Sequence, residues 1–503
     1  MQDVFEKYTD PETYKKIVTY RNLTEMWESS VSAYPQNVAM VDGGVSVTYA
    51  EFNALVARFR TVLVREGAVG GLVGILCPNS SDFAKAFLAA GTLGVPTVLL
   101  PAHLDAMTVF GCAMGFGLKA IVYDESLGDK LEVLRAKNAP LALIPADCDG
   151  DGETPSVSVP SESLCTVLFT GGTTGKSKGA KLSHRAVMAG VRNGCYGIKK
   201  IFEERYLLVL PLTHVFGLIR NLLTCFYTGS AIYICRSNKD MFRDAAVFRP
   251  TVMVMVPALA EMALNLSRQF GKWMLGEDLK TVICGAAPVP PYLVQEYAKR
   301  GIALLPGYGL TESANLVSGN PEALSHPESV GLVYPGMELK FVDGEIWLKG
   351  ENMMDGYVGG EENETAYEDG WFKTGDLGHM DEDGFLTITG RKKEIIVLGT
   401  GENVSPAEVE VKFLALDGVQ DCLVYDTVEG GRQILVLEIL PRMTALKEKG
   451  VTDAEAYLRK EAQKINETLP SFERIGKIIL RDTDFVRTPA MKIARNLNGN
   501  AKK

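Results

Sequence analysis

Residues 165–179 join an apolar run to a segment rich in glycine, hydroxyl and lysine residues. The apolar run 167–169 fits a buried strand, and glycines after a strand permit backbone angles that turn N–H groups toward an anion. Hydroxyl donors and positive charges follow within a few positions. This segment therefore predicts a phosphate-binding loop, with these contributors: Thr170, Gly171, Gly172, Thr173, Thr174, Gly175, Lys176, Ser177 and Lys178.

The loop only partly matches the common nucleotide-binding pattern G-x-x-x-x-G-K-[ST]. Gly175, Lys176 and Ser177 supply its second half, but Thr170 stands where the first glycine belongs. A P-loop NTPase is therefore a weakened alternative. A flexible surface turn is disfavoured because two lysines and four hydroxyls directly follow a core strand.

Composition narrows the class of protein. The chain has 503 residues, of which 46% are hydrophobic and 23% charged, values that are ordinary for globular proteins. The net charge of −10 argues against general nucleic-acid binding, which needs a basic surface. None of the nine cysteines has C-x-x-C spacing, which disfavours a zinc ribbon or dithiol site.

The beginning of the chain lacks the apolar stretch of a signal peptide. The longest apolar segment, 86–104, is interrupted by glycines and prolines, which favours a buried helix and strand over a membrane span. We therefore expect a cytoplasmic protein without a transmembrane segment.

Short apolar runs alternate with helical patterns over the first part of the chain, as in parallel α/β folds. The elements become short and mixed after the charged sequence GRKK at 390–393. We expect an α/β protein with a large N-terminal domain of layered α/β subdomains (1–390) and a small, mobile α+β C-terminal domain (391–503). The predicted strands of the large domain are 71–77, 96–100, 120–123, 206–210, 231–235, 251–256, 281–284 and 302–305, and one predicted helix is 220–227.

Further motifs follow at wide spacing. Gly285, Ala286, Ala287 and Pro288 come after a predicted strand, and their small side chains would let a flat ring lie against the backbone. The sequence GYGLTE at 307–312 follows another predicted strand and ends in a carboxylate suited to Mg²⁺. The remaining motifs are WFKTGDLG at 371–378, GRKKEIIV at 390–397, GTGENVSPAEVE at 399–410 and RTPAMKIAR at 487–495.

This ordered set resembles the adenylate-forming superfamily, which includes acyl-CoA synthetases, adenylation domains and beetle luciferase. The resemblance extends from about residue 23 to residue 495. It implies binding of ATP by the loop at Thr170–Gly179, an adenine site at Gly285–Pro288 with Tyr308 and Gly309, and a ribose contact by Asp376 with Arg391. It also implies an α-phosphate contact by Thr311, Mg²⁺ on Glu312, an acyl-pocket position for His214, a hinge at Lys393 and a catalytic Lys492. The predicted acyl wall consists of apolar residues beside His214 and of further candidates, namely Val215, Phe216, Gly217, Leu218, Ala286, Leu310 and Ala314.

The implied reaction joins a carboxylic acid to a thiol in two steps. The acid attacks the α-phosphate of ATP and releases pyrophosphate, while Mg²⁺ and Lys492 offset the growing negative charge. The thiol of coenzyme A, or of the phosphopantetheine on an acyl carrier protein, then attacks the acyl-adenylate after the small domain turns about its hinge.

Departures from the common motifs bear on the substrate. Gly171 and Ser177 replace a serine and a proline of the usual phosphate loop, and Met491 replaces the glycine before the catalytic lysine. The sequence RTPAMK and the hinge region are closer to long-chain acyl-CoA synthetases, and 207–220 lacks an acid that would hold an amino group. We therefore expect a fatty or other hydrophobic acid.

Three alternatives stay open at this point. A free-standing adenylation enzyme would load an acyl, aryl or amino acid onto a carrier protein. A P-loop NTPase would make ADP without any acid. A non-catalytic sensor would have lost the catalytic groups, yet Glu312 and Lys492 are both present.

Overall fold

The computed structural model describes residues 4–170, 178–360, 363–398, 402–430, 432–487 and 493–499. Two predicted parts of the site lie outside these ranges. They are the catalytic Lys492 and the centre of the phosphate loop, namely Gly171, Gly172, Thr173, Thr174 and Gly175.

The strands of the first two thirds of the described chain are β1 (Val38–Asp42), β2 (Val45–Thr48), β3 (Leu72–Leu76), β4 (Thr97–Leu99), β5 (Leu118–Tyr123), β6 (Ala142–Pro145), β7 (Leu164–Phe169), β8 (Gly179–Ser183), β9 (Arg205–Leu208), β10 (Ala231–Ile234), β11 (Val252–Met255), β12 (Thr281–Gly285), β13 (Ala303–Leu310), β14 (Asn315–Gly319) and β15 (Leu332–Val333). The later strands are β16 (Met337–Val342), β17 (Glu345–Gly350), β18 (Tyr367–Glu368), β19 (Trp371–Met380), β20 (Leu386–Arg391), β21 (Ile396–Val397), β22 (Asn403–Val404), β23 (Val419–Glu429), β24 (Arg432–Pro441) and β25 (Ile475–Leu480).

The α-helices are α1 (Pro11–Lys15), α2 (Leu23–Ala33), α3 (Tyr49–Arg65), α4 (Ser81–Thr92), α5 (Ala106–Phe116), α6 (Glu132–Ala136), α7 (His184–Asn193), α8 (Thr224–Tyr227), α9 (Met241–Phe248), α10 (Pro257–Phe270), α11 (Pro291–Ala298), α12 (Asn363–Ala366), α13 (Pro406–Leu414), α14 (Met443–Glu448) and α15 (Ala454–Thr468). A π-helix spans Phe216–Leu223. Short 3₁₀ helices cover Val4–Tyr8, Glu125–Leu131, Asn238–Asp240, Thr311–Ser313, Lys392–Glu394, Ser471–Glu473 and Arg495–Leu497.

Two large sheets share one hydrophobic core. The first has the order β15-β14-β13-β12-β11-β9-β10-β1-β2 and is parallel from β13 to β1; the second has the order β6-β5-β3-β4-β7-β8. Helix α4 contacts β3, β4 and β1, so it packs between the sheets. Strands such as β11 (VMVM) are buried along their whole length, because parallel strands are covered on both faces.

Local sequence explains how key elements begin and turn. Helix α3 starts with a capping box, in which Thr48 and Glu51 satisfy each other's backbone N–H groups. The hairpin β16–β17 turns at Asp343 and Gly344, which have φ angles of 51° and 77°. Two successive positive φ angles define the tight hairpin turn that the Asp-Gly pair favours.

The C-terminal part of the chain has a hydrophobic core of its own. Its three-stranded sheet β23-β24-β25 packs against α13 and α15, and Val404, Phe413, Leu437 and Leu458 are fully buried there. The large core reaches Leu386 in β20. A large α/β part and a small α+β part are therefore present, as the sequence predicted.

The predicted strands of the large part are all found, with ends shifted by a few residues. One expectation is wrong: the motif 307–312 does not follow its strand, because β13 continues through Tyr308 to Leu310. The predicted helix 220–227 is found, but it begins earlier, at Phe216, and residues 216–223 form a π-helix that continues into α8.

Candidate active site

Strands β12 and β13 bring Gly285 of the predicted adenine site beside Gly307. Gly285 and Gly307 are partners in the parallel register, and a Cβ on Gly285 would lie 2.9 Å from the Gly307 carbonyl oxygen. A side chain is thus excluded at Gly285. Ala286 follows with a φ of 66°, a strained value for a residue with a Cβ, while Ala287 is half-buried and Pro288 exposed.

Asp376 lies at the centre of a hydrogen-bonded cluster. Its Oδ2 accepts a hydrogen bond of 2.7 Å from the Tyr308 hydroxyl, and its Oδ1 lies 2.7 Å from Nε of Arg391. Residues 376 and 391 are direct partners across β19 and β20. The structure therefore brings Tyr308 of the predicted adenine site together with the predicted ribose pair of Asp376 and Arg391.

The electrostatics of this cluster keep both donors protonated. Burial, and next the Asp376 carboxylate, raise the pKa of the Tyr308 hydroxyl well above its ordinary value. Burial is the largest single effect and disfavours the charged form of Arg391, but Asp376 together with Tyr308 and nearby glutamates outweighs it, and the pKa of Arg391 is raised. Asp376 is 2% exposed, and a carboxylate offers about four acceptor sites, so acceptor capacity is left for a ligand hydroxyl.

Glu312 forms a second carboxylate site. It lies in the short helix Thr311–Ser313 that directly follows β13, and its Oε1 accepts a hydrogen bond of 2.7 Å from the Tyr357 hydroxyl. Nζ of Lys178 lies 4.9 Å from the centre of the Tyr357 ring. Tyr357 thus connects the predicted metal carboxylate to the end of the predicted phosphate loop, a role that no motif indicated.

The chemistry of Glu312 fits a magnesium ion shared with a nucleotide. Mg²⁺ is commonly held by one or two carboxylates together with phosphate oxygens of the substrate. Across the ranges that the structure describes, no group of three or more His, Cys, Asp or Glu residues could hold a metal by itself. A single carboxylate near the described end of the phosphate loop fits an Mg²⁺ ion that is also held by phosphate oxygens.

The described ends of the phosphate loop are held together by β7 and β8. Phe169 and Gly179 are partners in this antiparallel pair, and the Thr170 N–H donates a 2.8 Å hydrogen bond to the Lys178 carbonyl. The chain therefore enters and leaves the predicted loop at neighbouring positions, and Lys178 contacts the Tyr357 ring there.

His214 and the predicted acyl wall surround the start of the π-helix. His214 is half-buried and its carbonyl accepts from the Leu218 N–H. The Phe216 ring lies 3.5 Å from the position that a Cβ on Gly285 would take. Other predicted wall residues, Val215, Gly217, Leu218, Leu310 and Ala314, are buried or partly buried.

Lys393, the predicted hinge, is exposed within the helix Lys392–Glu394. Its neighbour Lys392 forms an ion pair of 2.9 Å with Glu345, which is 6% exposed. His184, which follows the phosphate loop, is buried, and its Nδ1 accepts from the Leu23 N–H at 3.2 Å. It supports the fold rather than acting as a base.

Comparisons with known proteins identify the class. Residues 27–358 match the family described as AMP-binding enzyme, and the chain belongs to this family. It is 30% identical over 420 residues to a feruloyl-CoA synthase of Amycolatopsis, covering 78% of this chain and 82% of that protein.

Two further proteins agree with the family. The chain is 28% identical over 433 residues to the long-chain-fatty-acid–CoA ligase FadD13 of Mycobacterium tuberculosis, covering 80% of this chain and 85% of that protein. The anthranilate CoA ligase AuaEII in complex with anthranoyl-AMP has the same fold, with a TM-score of 0.83 at 20% identity, covering 95% of this chain and 96% of that one.

The expected superfamily and fold are therefore confirmed, as is the expectation of an AMP-forming ligase of the acyl-CoA synthetase type. None of the helices formed by the described residues has the length and apolar content needed to cross a bilayer.

Proposed function

We propose that this enzyme uses ATP and Mg²⁺ to convert a carboxylic acid to an acyl-adenylate, and then transfers the acyl group to the thiol of coenzyme A. The observation that carries the proposal is the pairing of two carboxylate sites at the carboxyl end of β13. Asp376 is held by Tyr308 and Arg391, and Glu312 lies beside Tyr357 and Lys178.

Each site suits a different part of ATP. The free acceptor capacity of Asp376 suits ribose hydroxyls, and the small residues Gly285, Ala286 and Ala287 suit an adenine ring that lies against the backbone. Thr311 would contact the α-phosphate, and Thr170, Lys178 and the loop between them would hold the β- and γ-phosphates. Mg²⁺ on Glu312 would supply Lewis-acid stabilisation of the phosphate charge.

The chemistry needs no covalent bond to the protein. A carboxylate oxygen of the acid attacks the α-phosphorus and the bond to pyrophosphate breaks. In the second step a thiolate attacks the acyl carbon, and AMP leaves with the oxygen that came from the acid. Lys492 is proposed to offset negative charge in the first step only.

The small C-terminal part is proposed to begin at residue 391 and to turn about Lys393 between the two steps. The separate core around Phe413 and Leu437 supports a unit that moves as one body. Lys393 is exposed, so a change of its backbone angles would disturb no packing of its own side chain.

The acid is proposed to have an apolar body. Phe216 is buried beside Gly285, and Leu218 is buried in the same π-helix. The relatives include ligases named for long-chain and medium-chain fatty acids as well as for ferulate. Coenzyme A is preferred over a carrier protein because these relatives are named as CoA ligases or synthases.

Incubation with ATP, Mg²⁺ and panels of aliphatic and aryl acids tests the function. We expect acid-dependent pyrophosphate and acyl-adenylate without coenzyme A, and an acyl thioester with AMP and pyrophosphate in equal amounts when coenzyme A is added. Each acid is also assayed with a phosphopantetheinylated carrier protein. Thioester on the carrier but not on coenzyme A would contradict the acceptor assignment, and ADP formed without acid would contradict the function itself.

A further inference from the structure

Arg220 is a buried arginine that the proposed reaction does not use. It lies in the π-helix Phe216–Leu223, and its relative exposure is 1%. π-Helical turns are rare and occur frequently at functional sites. The side chain points toward the end of α7, because a Cβ on Gly194 would lie 3.1 Å from its Cδ.

The guanidinium of Arg220 has no carboxylate partner in the described parts of the chain. Its Nε and Nη1 are buried and make no hydrogen bond there, and no ion pair involves it. A guanidinium cannot lose its proton in a protein, and an uncompensated buried charge is strongly unfavourable. A bound anion would supply the negative charge that the described part of the protein does not place beside Arg220.

A small cavity, with a volume of about 10 Å³, lies next to this charge and below the proposed acyl site. Arg220 lines it together with Ile283, Leu305, Leu316 and Tyr334. Ile283 and Leu305 are partners in the parallel register, two residues before the pair Gly285 and Gly307. Because alternate strand residues share one face, the cavity lies directly beneath that glycine pair.

The π-helix connects the level of the glycine pair with the level of the cavity. Phe216 lies over Gly285, and Arg220 follows four positions later, close to one helical turn. The Tyr206 hydroxyl is also buried without a hydrogen bond, and the Arg220 charge acts against the burial that raises the pKa of Tyr206. A cation and a hydroxyl donor thus lie close together in the buried interior, about one helical turn from Phe216.

Resting on the proposed function, we propose that the acyl pocket extends past Phe216 and that Arg220 binds a second carboxylate at the far end of the acid. A carboxylate is favoured over a neutral acceptor because it cancels the buried charge and can accept two N–H groups of the guanidinium fork. The substrate is then an α,ω-diacid with an apolar middle, activated at one end only.

The strand geometry indicates the length of this substrate. A rise of about 3.3 Å per residue puts Leu305 about 13 Å from Gly309 along β13. Medium-length diacids are therefore the probes, each paired with the straight-chain monoacid of the same carbon number.

The test compares kcat/KM for pyrophosphate release within each acid pair. We expect wild-type enzyme to prefer the diacid by at least about 100-fold, since a buried polar site rejects an analogue that leaves it unpaired. Arg220→Met should reverse the preference, and Arg220→Lys should keep part of it. Arg205→Met, on β9 and paired with Asp278, is the matched control and should keep the wild-type ratio.

The outcomes separate this inference from the function on which it rests. Equal turnover of both acids, unchanged by Arg220→Met, overturns the diacid site and leaves the ligase function standing. A better rate with a phenol-bearing acid of the same length also overturns it. If no acid yields AMP, the function fails, and calorimetric binding of the diacid that is lost in Arg220→Met still supports the site.

Discussion

Two buried arginines of this enzyme differ in whether a carboxylate of the described chain pairs with them. Arg442, 2% exposed, lies at the join between the C-terminal part and the large part, with Nη2 2.7 Å from Oε1 of Glu261 on α10. Its guanidinium carbon is 4.1 Å from the centre of the Tyr292 ring on α11. Arg220 is as deeply buried, yet no carboxylate of the described chain pairs with it.

His184 shows a third way to bury a basic side chain. Burial lowers the pKa of its imidazole to about 4, so it is neutral at pH 7 and accepts a hydrogen bond from Leu23. Histidine can escape the cost of buried charge by losing its proton, whereas arginine cannot.

The comparison distinguishes a buried charge that stabilises the fold from a buried charge that is available to bind a ligand. Arg442 has its counterion within the protein, and the pair joins two separate cores. Arg220 has none, in a cavity one step below the proposed reaction site. A charge that the fold does not neutralise is a candidate for neutralisation by a ligand.

Arg442→Met should have the largest effect on stability. Removing one partner of a buried ion pair leaves Glu261 uncompensated and costs about 3–5 kcal/mol. The pKa of Glu261 is already raised by burial, which Arg442 only partly offsets, so the loss should be larger at pH 8 than at pH 6. Urea unfolding followed by tryptophan fluorescence measures it.

The double variant Arg442→Met with Glu261→Gln is the control for this pair. It removes both charges and should recover most of the lost stability. If the double variant is as unstable as the single one, the pair contributes by packing on Tyr292 rather than by charge.

His184 should make stability depend on acidity. Its folded pKa is depressed from 6.5 to about 4, so its contribution is complete above pH 6.5 and is lost as the pH falls toward 4. Between pH 7.5 and pH 5 the loss is about 2 kcal/mol. His184→Asn retains an acceptor for the Leu23 N–H without titrating.

The measurement compares urea unfolding of wild type and His184→Asn at both pH values. The variant should lose about 2 kcal/mol less than wild type on acidification. An equal loss in both proteins would show that His184 is not the titrating group.

Of these substitutions, Arg220→Met should have the smallest effect on stability, although Arg220 is as deeply buried as Arg442. No protein carboxylate is left unpaired, so we expect a change within about 1 kcal/mol, or a gain. The same urea experiment measures it without acid present. A loss as large as that of Arg442→Met would mean that Arg220 is neutralised inside the fold.

Much of the site could be predicted because its residues follow strands in recognisable motifs. The pairing of Asp376 with Arg391 was expected from the motifs at 371–378 and 390–397, and the structure places both on adjacent strands. The hairpin at Asp343-Gly344 depends on local sequence alone, because the turn needs two positive φ angles, which this pair of residues adopts readily.

The parts that escaped prediction depend on contacts distant in sequence. Tyr357 meets Glu312 and Lys178 only after β8 and the 351–360 segment come together. Arg220 lies in a run that looks like an ordinary buried helix, and periodicity does not distinguish a π-helix from an α-helix. The ion pair of Arg442 with Glu261 joins residues 181 positions apart, with no motif at either one.

The central claim is that the acid attacks the α-phosphorus of ATP, and isotope transfer tests it most directly. The enzyme is supplied with ATP, Mg²⁺, coenzyme A and an acid whose carboxyl group carries ¹⁸O, and the nucleotide product is weighed by mass spectrometry. We predict AMP that contains one ¹⁸O atom from the acid. Unlabelled AMP, or ADP in its place, would contradict the account.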